Sequence, residues 1–301
     1  MKLSVCIPSY NPELKLSTTL DSLISQKEFI NEIVIVIDND IHEQQVGLLR
    51  KKYSTVFNLF VVTQANSGRA RARNRAAEIA TGDVLFFLDD DMLAESSLVQ
   101  KHFEYQKANP ETIIVGNGYN NPADAKDDFS KYIIKMGLSW QYESEPVQVV
   151  SFEKFVFTAC NMSISKRLFN KLNGFDDRLK DAEDFDMGIR ALKQGVKIIY
   201  DRTLTAWHND WPDIKAFIKR NNEYAKGRKE LLDIHPEYVS VFPDMVLAST
   251  SIIKKTILSI CRVAICPFVI SSGFIFNKLP LMFKFKLYKL TISAYASINR
   301  W

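Results

Sequence analysis

The chain has 301 residues, 47% of them hydrophobic, which is enough to bury the core of one large α/β domain or of two smaller ones. It carries 39 Lys and Arg against 35 Asp and Glu, yet no acidic residue follows Asp244. A nucleic-acid-binding protein would carry positive charge across its folded domain, so this distribution argues against one. It predicts instead a mildly acidic body with a basic, apolar tail that contacts anionic lipid.

The cysteines and the N-terminus both predict a cytoplasmic protein. Cys6, Cys160, Cys261 and Cys266 form no paired or metal-finger spacing, which is typical of a reducing compartment. The apolar run before Pro8 is too short for the hydrophobic region of a signal peptide.

In the first third of the chain, strands and helices alternate. Strands are predicted over 3–7, 33–37, 59–63 and 84–88, and each is followed by a polar loop. The helix predicted over 69–80 ends before Gly82. This order predicts a parallel sheet with helices on both faces.

The remainder is less regular. Helices are predicted over 98–108, 166–173, 184–194 and 212–232, and strands over 113–116, 155–165 and 196–200. Residues 119–128 are predicted to form a polar loop.

Three carboxylates, Asp89, Asp90 and Asp91, directly follow the apolar run Val84–Leu88. Open parallel sheets bind ligands at the carboxyl ends of their strands, and Asp is rarely buried without a partner. Two carboxylates separated by one residue suit Mg²⁺ or Mn²⁺, which keeps waters and substrate phosphates as further ligands. The alternatives are an Arg or Lys cluster that pairs with the carboxylates, a solvated turn, or the N-cap of the next helix.

Four arginines, Arg69, Arg71, Arg73 and Arg75, begin the helix predicted over 69–80. Together with the free N–H groups of its first turn they could bind a diphosphate. An exposed basic helix is the alternative interpretation.

A second acidic cluster, Glu183, Asp184 and Asp186, opens the helix predicted over 184–194. Carboxylates at this position are also favourable to the helix dipole alone. A general base beside a polarised leaving group is the catalytic alternative. His208, between Trp207 and Trp211, could be a metal ligand, a packed core residue or a surface group.

Six stretches together resemble the family 2 nucleotide-sugar glycosyltransferases with the GT-A fold, and the resemblance covers about residues 1–210. The matching stretches are 3–11, 33–38, Asn66-Ser67-Gly68 with Ala72-Arg73-Asn74, 85–91, 173–176, and Glu183-Asp184 with Asp186 and Arg190.

The resemblance implies a role for each matching residue. The donor would be bound by Pro8, Ser9, Tyr10, Asn11, Asp38, Gly68, Arg73, Asp89 and Asp90. The metal ligands would come from Asp91, Asp89 and His208, and the sequence leaves open which two of the three consecutive aspartates face the ion. Asp184 would be the catalytic base, and Glu183 would orient the acceptor.

The implied activity is inverting, dependent on Mn²⁺ or Mg²⁺, and moves a sugar from a nucleotide-diphosphate sugar, UDP-sugar above all. The acceptor would be a hydroxyl of a glycan or lipid-linked molecule in bacterial surface polysaccharide biosynthesis. Ala182 stands where many members carry Gly, and the Gln- and Arg-rich motifs of processive synthases are missing, which favours transfer of a single sugar. A non-catalytic nucleotide-sugar-binding protein and a metal-dependent nucleotidyltransferase are the alternatives.

The domain expectation is a donor half over 1–115, an acceptor half of the same domain over 116–235, and a membrane-associating tail over 236–301. Arg262 and Pro267 interrupt the apolar stretch 256–276, which favours an amphipathic helix in the interface. The alternatives are that it spans the membrane, or that it packs on the catalytic domain or on a partner. The pattern over 279–290 fits helix and strand equally. Residues 250–301 are predicted to contact the anionic inner face of the cell membrane.

Overall fold

The computed structural model describes residues 1–12, 14–39, 43–138, 145–240, 252–271 and 273–296. The chain divides into two compact units. The first, called here the sheet unit, comprises Met1–Tyr119 and Tyr142–Asn209. The second, the helical unit, comprises Asn120–Gln141 and Asp210–Trp301.

Within the described residues the sheet unit contains a nine-stranded sheet of order β3-β2-β1-β4-β8-β6-β9-β5, with β7 paired to β9. Its strands are β1 (Leu3–Ser9), β2 (Glu32–Ile37), β3 (Leu59–Thr63), β4 (Val84–Leu88), β5 (Met92–Ala94), β6 (Thr112–Asn117), β7 (Val147–Val149), β8 (Asn161–Ser165) and β9 (Lys197–His208). The helices of this unit are α1 (Leu14–Leu23), α2 (Glu43–Tyr53), α3 (Arg69–Ile79), α4 (Leu98–Ala108), α6 (Lys166–Lys171) and α7 (Glu183–Lys193).

The first four strands pair in parallel and are covered on both faces, as predicted. Alternate residues of β1 enter different cores, because successive side chains of a strand point to opposite faces. Cys6 packs with the alanines of α3, whereas Val5 and Ile7 pack with the leucines of α1. Because β1, β2 and β4 run parallel to one another, their carboxyl ends lie together at one edge of the sheet.

The rest of the sheet is mixed. Strand β8 runs antiparallel between β4 and β6, and β9 is parallel to β6. The end of β9 then pairs with β5, which sets His208 opposite Met92 and so beside Asp91. The predicted architecture, a mainly parallel α/β sheet flanked by helices with a helical C-terminal tail, is confirmed.

Three local predictions differ from the structure. The strand predicted over 155–165 begins only at Asn161, because the Phe155 and Phe157 rings pack against α7 instead of entering the sheet. Strand β9 continues through residues 201–208, beyond its predicted end. Helix α5 (Asp128–Leu138), which was not predicted, begins at the last residue of the predicted polar loop.

A buried polar network fixes β8 in the middle of the sheet. The His102 ring contacts Ser163 Oγ at 2.9 Å and Asn161 Oδ1 at 3.0 Å. Burial lowers the pKa of His102 to about 4, so the ring is neutral near pH 7. Next to this network, the Cys160 carbonyl accepts the Asp89 N–H at 3.2 Å and so holds the end of β4.

The helical unit contains α5, α8 (Ile214–Ile234), α9 (Ile252–Ala264), α10 (Cys266–Ser271), α11 (Phe274–Asn277) and α12 (Leu281–Ala296). The tail segment 279–290, unassigned from the sequence, is therefore mostly helical. Lys284 is buried and donates to Asp128 Oδ2 at 2.6 Å, which ties α12 to α5. Around this pair Phe129, Tyr132 and Tyr288 pack as an aromatic cluster.

No helix in the described part of the chain is both long and apolar enough to cross a bilayer. Residues 241–251, 272 and 297–301 of the membrane-associating tail predicted over 236–301 lie outside the described residues.

The turn at residues 173–175 is held against α3 by one side chain. Asn74 Nδ2 donates to the Phe175 carbonyl at 2.8 Å, and the Phe175 N–H donates to Asn74 Oδ1 at 2.9 Å. Gly174 lies between them with φ +63°, and a Cβ there would approach Asn74 Oδ1 to 2.8 Å. The turn therefore requires glycine for both its backbone angle and its closeness to Asn74.

We expect Gly174→Ala to lower the free energy of unfolding by about 3 kcal/mol. The substitution would carry the cost of a left-handed backbone and would also disrupt the two hydrogen bonds between Asn74 and Phe175. Gly195→Ala is the matched control, because Gly195 has φ +72° but no atom within 4 Å of its Cβ position. That variant should lose only the backbone cost of about 1–2 kcal/mol. Urea denaturation measures the free energy of unfolding of both variants. Equal losses would contradict a stabilising role of the hydrogen bonds between Asn74 and Phe175.

Candidate active site

One guanidinium joins the two acidic clusters. Arg73 donates through Nη2 to Asp89 Oδ1 at 2.7 Å and through Nη1 to Glu183 Oε1. Its side chain is 1% exposed and that of Glu183 is 1% exposed. Asp89 at the end of β4 and Glu183 at the start of α7 are thus held within the span of one side chain.

Arg73 reaches this position because α3 lies close to the sheet. The helix places small buried residues on the sheet side: Ala70, Ala72, Ala76 and Ala77.

Burial would raise the pKa of the Asp89 carboxyl, but the Arg73 and Arg69 cations more than offset it and hold that pKa below its usual range. Asp89 is therefore a carboxylate whose charge is balanced from inside the protein.

The site also contains two buried polar atoms whose bonding is incomplete. Within the described residues, Arg73 Nε and Glu183 Oε2 have no hydrogen-bond partner. Buried polar groups of native proteins are nearly always paired, so each exception calls for an explanation, such as a catalytic role. Glu183 Oε2 is therefore a buried acceptor without a donor among the described residues.

The middle aspartate of the triplet points elsewhere. Ser9 Oγ, at the end of β1, donates to Asp90 Oδ2 at 2.5 Å, and Thr19 Oγ1 donates to the Asp90 carbonyl at 2.8 Å. Burial raises the pKa of Asp90 to about 7, and the charges of Asp91 and Asp89 add to the effect. Asp90 links the ends of β1 and β4.

The third aspartate faces a histidine. Asp91 Oδ1 lies 3.4 Å from His208 Nε2, and its other oxygen lies 3.9 Å from Lys15 Nζ. The Asn209 N–H, just past β9, donates to the Asp91 carbonyl at 2.8 Å. Within the described ranges, no three or more His, Cys, Asp and Glu side chains group as a metal site. Asp91 and His208 form a two-donor pair.

Asp184 lies beside Glu183 in the first turn of α7. Burial raises the pKa of the Asp184 carboxyl, and the Glu183 charge raises it further against the opposing Arg73 and Arg69 cations. Its Oδ1 accepts the Phe185 N–H at 2.8 Å. Asp184 is thus a stronger base than an exposed aspartate.

Ala182, just before α7, has a left-handed backbone with φ 66° and ψ 17°. For a residue with a Cβ this conformation costs about 1–2 kcal/mol, and glycine avoids most of that cost. The backbone at this position therefore favours glycine, although this chain carries alanine.

The residues predicted to bind the donor do not all present their side chains. Asp38 is buried, and its carboxylate accepts the Ser67 and Gly68 N–H groups at 2.8 Å each and Gln64 Nε2 at 2.8 Å. It therefore shapes the loop that leads into α3. Two neighbours lie at the end of β1 with exposed side chains, Asn11 and the 57%-exposed Tyr10, while Pro8 is buried.

The arginine series separates by face. Arg73 is buried, and Arg69 Nη2 lies 3.9 Å from Asp181 Oδ1. Arg71 donates to Asp177 at 2.9 Å and, with Arg75, lines an open groove of about 520 Å³. The fold therefore does not bring all four arginines together in a single anion site.

Asp186 belongs to the framework. It is fully buried and accepts from Arg190 Nε at 2.7 Å, one turn later. Arg190 Nη2 donates onward to the Gly174 carbonyl at 2.8 Å. The pair fastens α7 to the turn that Asn74 also holds.

Sequence reasoning located the acidic clusters and His208, but it missed Thr19, Lys15 and Asn74. Thr19 and Lys15 lie on α1, a segment to which the sequence analysis assigned no site residue. Asn74 stood within a matching stretch without an assigned role. Its place in the matching stretch Ala72-Arg73-Asn74 was the available signal, and in the structure its side chain holds the turn at residues 173–175.

Comparison with known proteins places this geometry in context. Residues 4–172, more than half of the chain, match the model of glycosyl transferase family 2. An uncharacterized glycosyltransferase of Bacillus subtilis (strain 168) is 26% identical, over 86% of this chain and 79% of that protein. The poly(ribitol-phosphate) beta-glucosyltransferase of Bacillus spizizenii is 31% identical, over 67% of this chain and 32% of that protein.

The fold also resembles that of a solved structure. Residues 1–349 of S. aureus TarS superpose with a TM-score of 0.52 at 17% identity, covering 100% of this chain and 90% of that one. The same protein has been solved in complex with UDP-GlcNAc.

We expect Arg73→Met to lower the free energy of unfolding by about 3–5 kcal/mol, since it leaves two carboxylates without their cation. Arg75→Met is the matched control: it lies on the same helix but is exposed. Its stability should stay near that of the wild type. Guanidinium denaturation followed by circular dichroism measures both, and a small loss for Arg73→Met would show that the bridge contributes little.

Proposed function

Because this chain belongs to glycosyl transferase family 2, we propose that it moves one sugar from a nucleotide-diphosphate sugar to an acceptor hydroxyl with inversion at the anomeric carbon. One observation carries the proposal: Arg73 bonds Asp89 of the first acidic cluster and Glu183 of the second. Groups suited to hold a donor and groups suited to activate an acceptor therefore lie at one edge of one sheet.

The donor would lie at the carboxyl ends of β1, β2 and β4. The exposed Tyr10 ring could pack against a nucleobase, while Asp38 and Gly68 would shape the loop beside it. A UDP-sugar is the donor that we propose. The complex of TarS with UDP-GlcNAc supports that choice.

The donor set at Asp91 fits Mg²⁺ or Mn²⁺. Asp91 Oδ1 and His208 Nε2 lie 3.4 Å apart. A carboxylate oxygen is an ordinary ligand of both ions, whereas a nitrogen donor suits the transition ion Mn²⁺ better than Mg²⁺, which prefers oxygen. Such ions commonly take only one or two protein ligands and complete their shell with waters and substrate phosphates. When bound, the ion would stabilise the negative charge that develops on the leaving diphosphate. Asp89, held by Arg73, and Asp90, held by Ser9, would position the donor instead.

Asp184 would act on the acceptor. Its carboxylate accepts the proton of the acceptor hydroxyl as that oxygen bonds to the anomeric carbon, while the bond from that carbon to the diphosphate breaks. A single in-line displacement of this kind inverts the configuration. Glu183 Oε2, buried and unpaired within the described residues, would accept a hydrogen bond from another hydroxyl of the acceptor and orient it.

We propose a glycan or lipid-linked acceptor of bacterial surface polysaccharide biosynthesis, and a position at the cytoplasmic face of the cell membrane. The relative named for transfer of glucose to poly(ribitol-phosphate) supports a polymer hydroxyl as acceptor. The division that we propose assigns donor binding to residues 1–115, acceptor binding to 116–235 and membrane contact to 236–301.

We expect Asp184→Asn to retain UDP binding and to lower the transfer rate by about 10²–10⁴-fold, since an amide cannot accept the proton. Asp177→Asn is the control, because Asp177 is a half-exposed carboxylate that pairs with Arg71. Thermal shift with UDP measures binding, and release of nucleoside diphosphate measures transfer. Unchanged turnover in Asp184→Asn would remove this residue from the mechanism, and release of pyrophosphate would indicate nucleotidyl transfer.

The raised pKa of Asp184 gives this experiment a second readout. A protonated carboxyl cannot act as base, so wild-type turnover should fall as pH falls through the pKa of Asp184. That midpoint should lie above the ordinary aspartate value of about 3.9. Asp177→Asn should show the same midpoint as the wild type.

We expect His208→Ala to weaken UDP binding at least about tenfold when Mn²⁺ is present, because one ligand of the ion is lost. Binding in the presence of a chelator should be equal in wild type and variant. Titration calorimetry with and without Mn²⁺ compares the two conditions. A variant that loses UDP affinity equally in the chelator would show that His208 acts on the nucleotide independently of metal.

A further inference from the structure

We propose that one exposed side of α9, together with the first turn of α12, is a docking surface for a bilayer that contains anionic phospholipid. This inference rests on the proposed function for its placement at the membrane. It adds which residues enter the lipid headgroups. The docking surface is defined by Ile257, Ile260, Val263, Met282 and Phe283, with Lys286 at its edge.

Helix α9 has one apolar side that the helical unit covers and another that it leaves exposed. Leu258 is 7% exposed and packs in a small cluster with Cys266 and Ala294. Ile257, Ile260 and Val263 are 52%, 61% and 74% exposed. Spacings of three residues place them in a row along one side of the helix.

The first turn of α12 repeats this exposure. Met282 is 64% and Phe283 59% exposed, and Lys286 Nζ lies 5.7 Å from the centroid of the Phe283 ring. An apolar or aromatic side chain with a lysine ammonium beside it suits the boundary between acyl chains and headgroups, where the ring is buried and the ammonium stays in contact with phosphate.

The charge of the segment decides which partner fits. After Asp244 the sequence carries eight Lys and Arg and no Asp or Glu. Lys284 is buried on Asp128, whereas Lys278, Lys286 and Lys289 are exposed. A second copy of this chain would bring the same positive charges together. Anionic headgroups attract them, by about 1 kcal/mol for each lysine near the surface.

The length of α9 suits a helix that lies in the plane of the interface. Its 13 residues extend over about 20 Å at 1.5 Å each. Helices of this kind bury one apolar side in the boundary region, and their affinity combines the buried apolar area with attraction to anionic lipid.

The test is flotation of the full chain with vesicles, either of phosphatidylcholine alone or of phosphatidylcholine mixed with phosphatidylglycerol. We expect the wild type to bind the mixed vesicles at least tenfold more tightly than the neutral ones. Ile260→Glu and Val263→Glu should each reduce binding to the mixed vesicles at least tenfold. Lys286→Gln should reduce it about fivefold, the equivalent of one lysine, and raising the salt concentration should erase that difference.

Leu48→Glu is the matched control, because Leu48 on α2 is 61% exposed, the same fraction as Ile260, but lies in the sheet unit. It should bind vesicles as the wild type does. Equal binding to both kinds of vesicle, equal loss in Leu48→Glu, or no vesicle binding by the wild type would overturn the proposal. So would a wild-type dimer that Ile260→Glu converts to monomer without any change in vesicle binding.

Sugar transfer in the absence of vesicles separates this inference from the proposed function. Ile260→Glu should keep the wild-type rate on a soluble acceptor, because Ile260 belongs to the helical unit and the proposed catalytic groups to the sheet unit. If the chain binds anionic vesicles but transfers no sugar, the docking surface stands and the proposed function fails. If it transfers sugar but does not bind vesicles, the reverse holds.

Discussion

The buried guanidinium of Arg73 is the interaction on which the site depends. It bonds carboxylates from two segments almost a hundred residues apart in the chain, at the end of β4 and at the start of α7. A buried ion pair of this kind is often no more stabilising than an apolar replacement, because both partners must leave water. Its value here lies in geometry, since the guanidinium fixes Asp89 and Glu183 relative to each other before any substrate binds.

Three consecutive aspartates have three different environments because the chain turns at the end of β4. Asp89 faces a buried cation, Asp90 a serine hydroxyl, and Asp91 a histidine. The first environment holds a pKa down and the second raises one. Identical side chains can therefore serve separate purposes, and a pattern of three acids does not imply three ligands to one ion.

The two units use charge in opposite ways. In the sheet unit, cations and carboxylates are paired across a buried site, and Arg190 and Asp186 support it from within. In the helical unit, one lysine is paired and buried on Asp128 while others lie at the surface beside apolar side chains. The first arrangement fixes positions, and the second favours attraction to a charged surface.

The amino-acid sequence by itself determined the α/β class, the four parallel strands, the acidic clusters and the family. Alternation of apolar runs with helical patterns is a local property, and polar residues that follow buried strands converge at one edge by topology alone. The sequence also predicted a basic, apolar tail, although its pattern over 279–290 did not distinguish helix from strand. Element types were easier to predict than partners, because they depend on neighbours in the chain.

Only the tertiary structure decided which groups meet. Arg73 is buried between Asp89 and Glu183, while Arg71 and Arg75 line a groove. This difference depends on the small alanines of α3, which let the helix approach the sheet closely. That Asp91 faces His208 depends on the pairing of β5 with β9, and the role of Asp38 depends on the loop before α3. These contacts join residues that are distant in the sequence. They are brought together by the packing of whole helices and strands, which no local sequence pattern predicts.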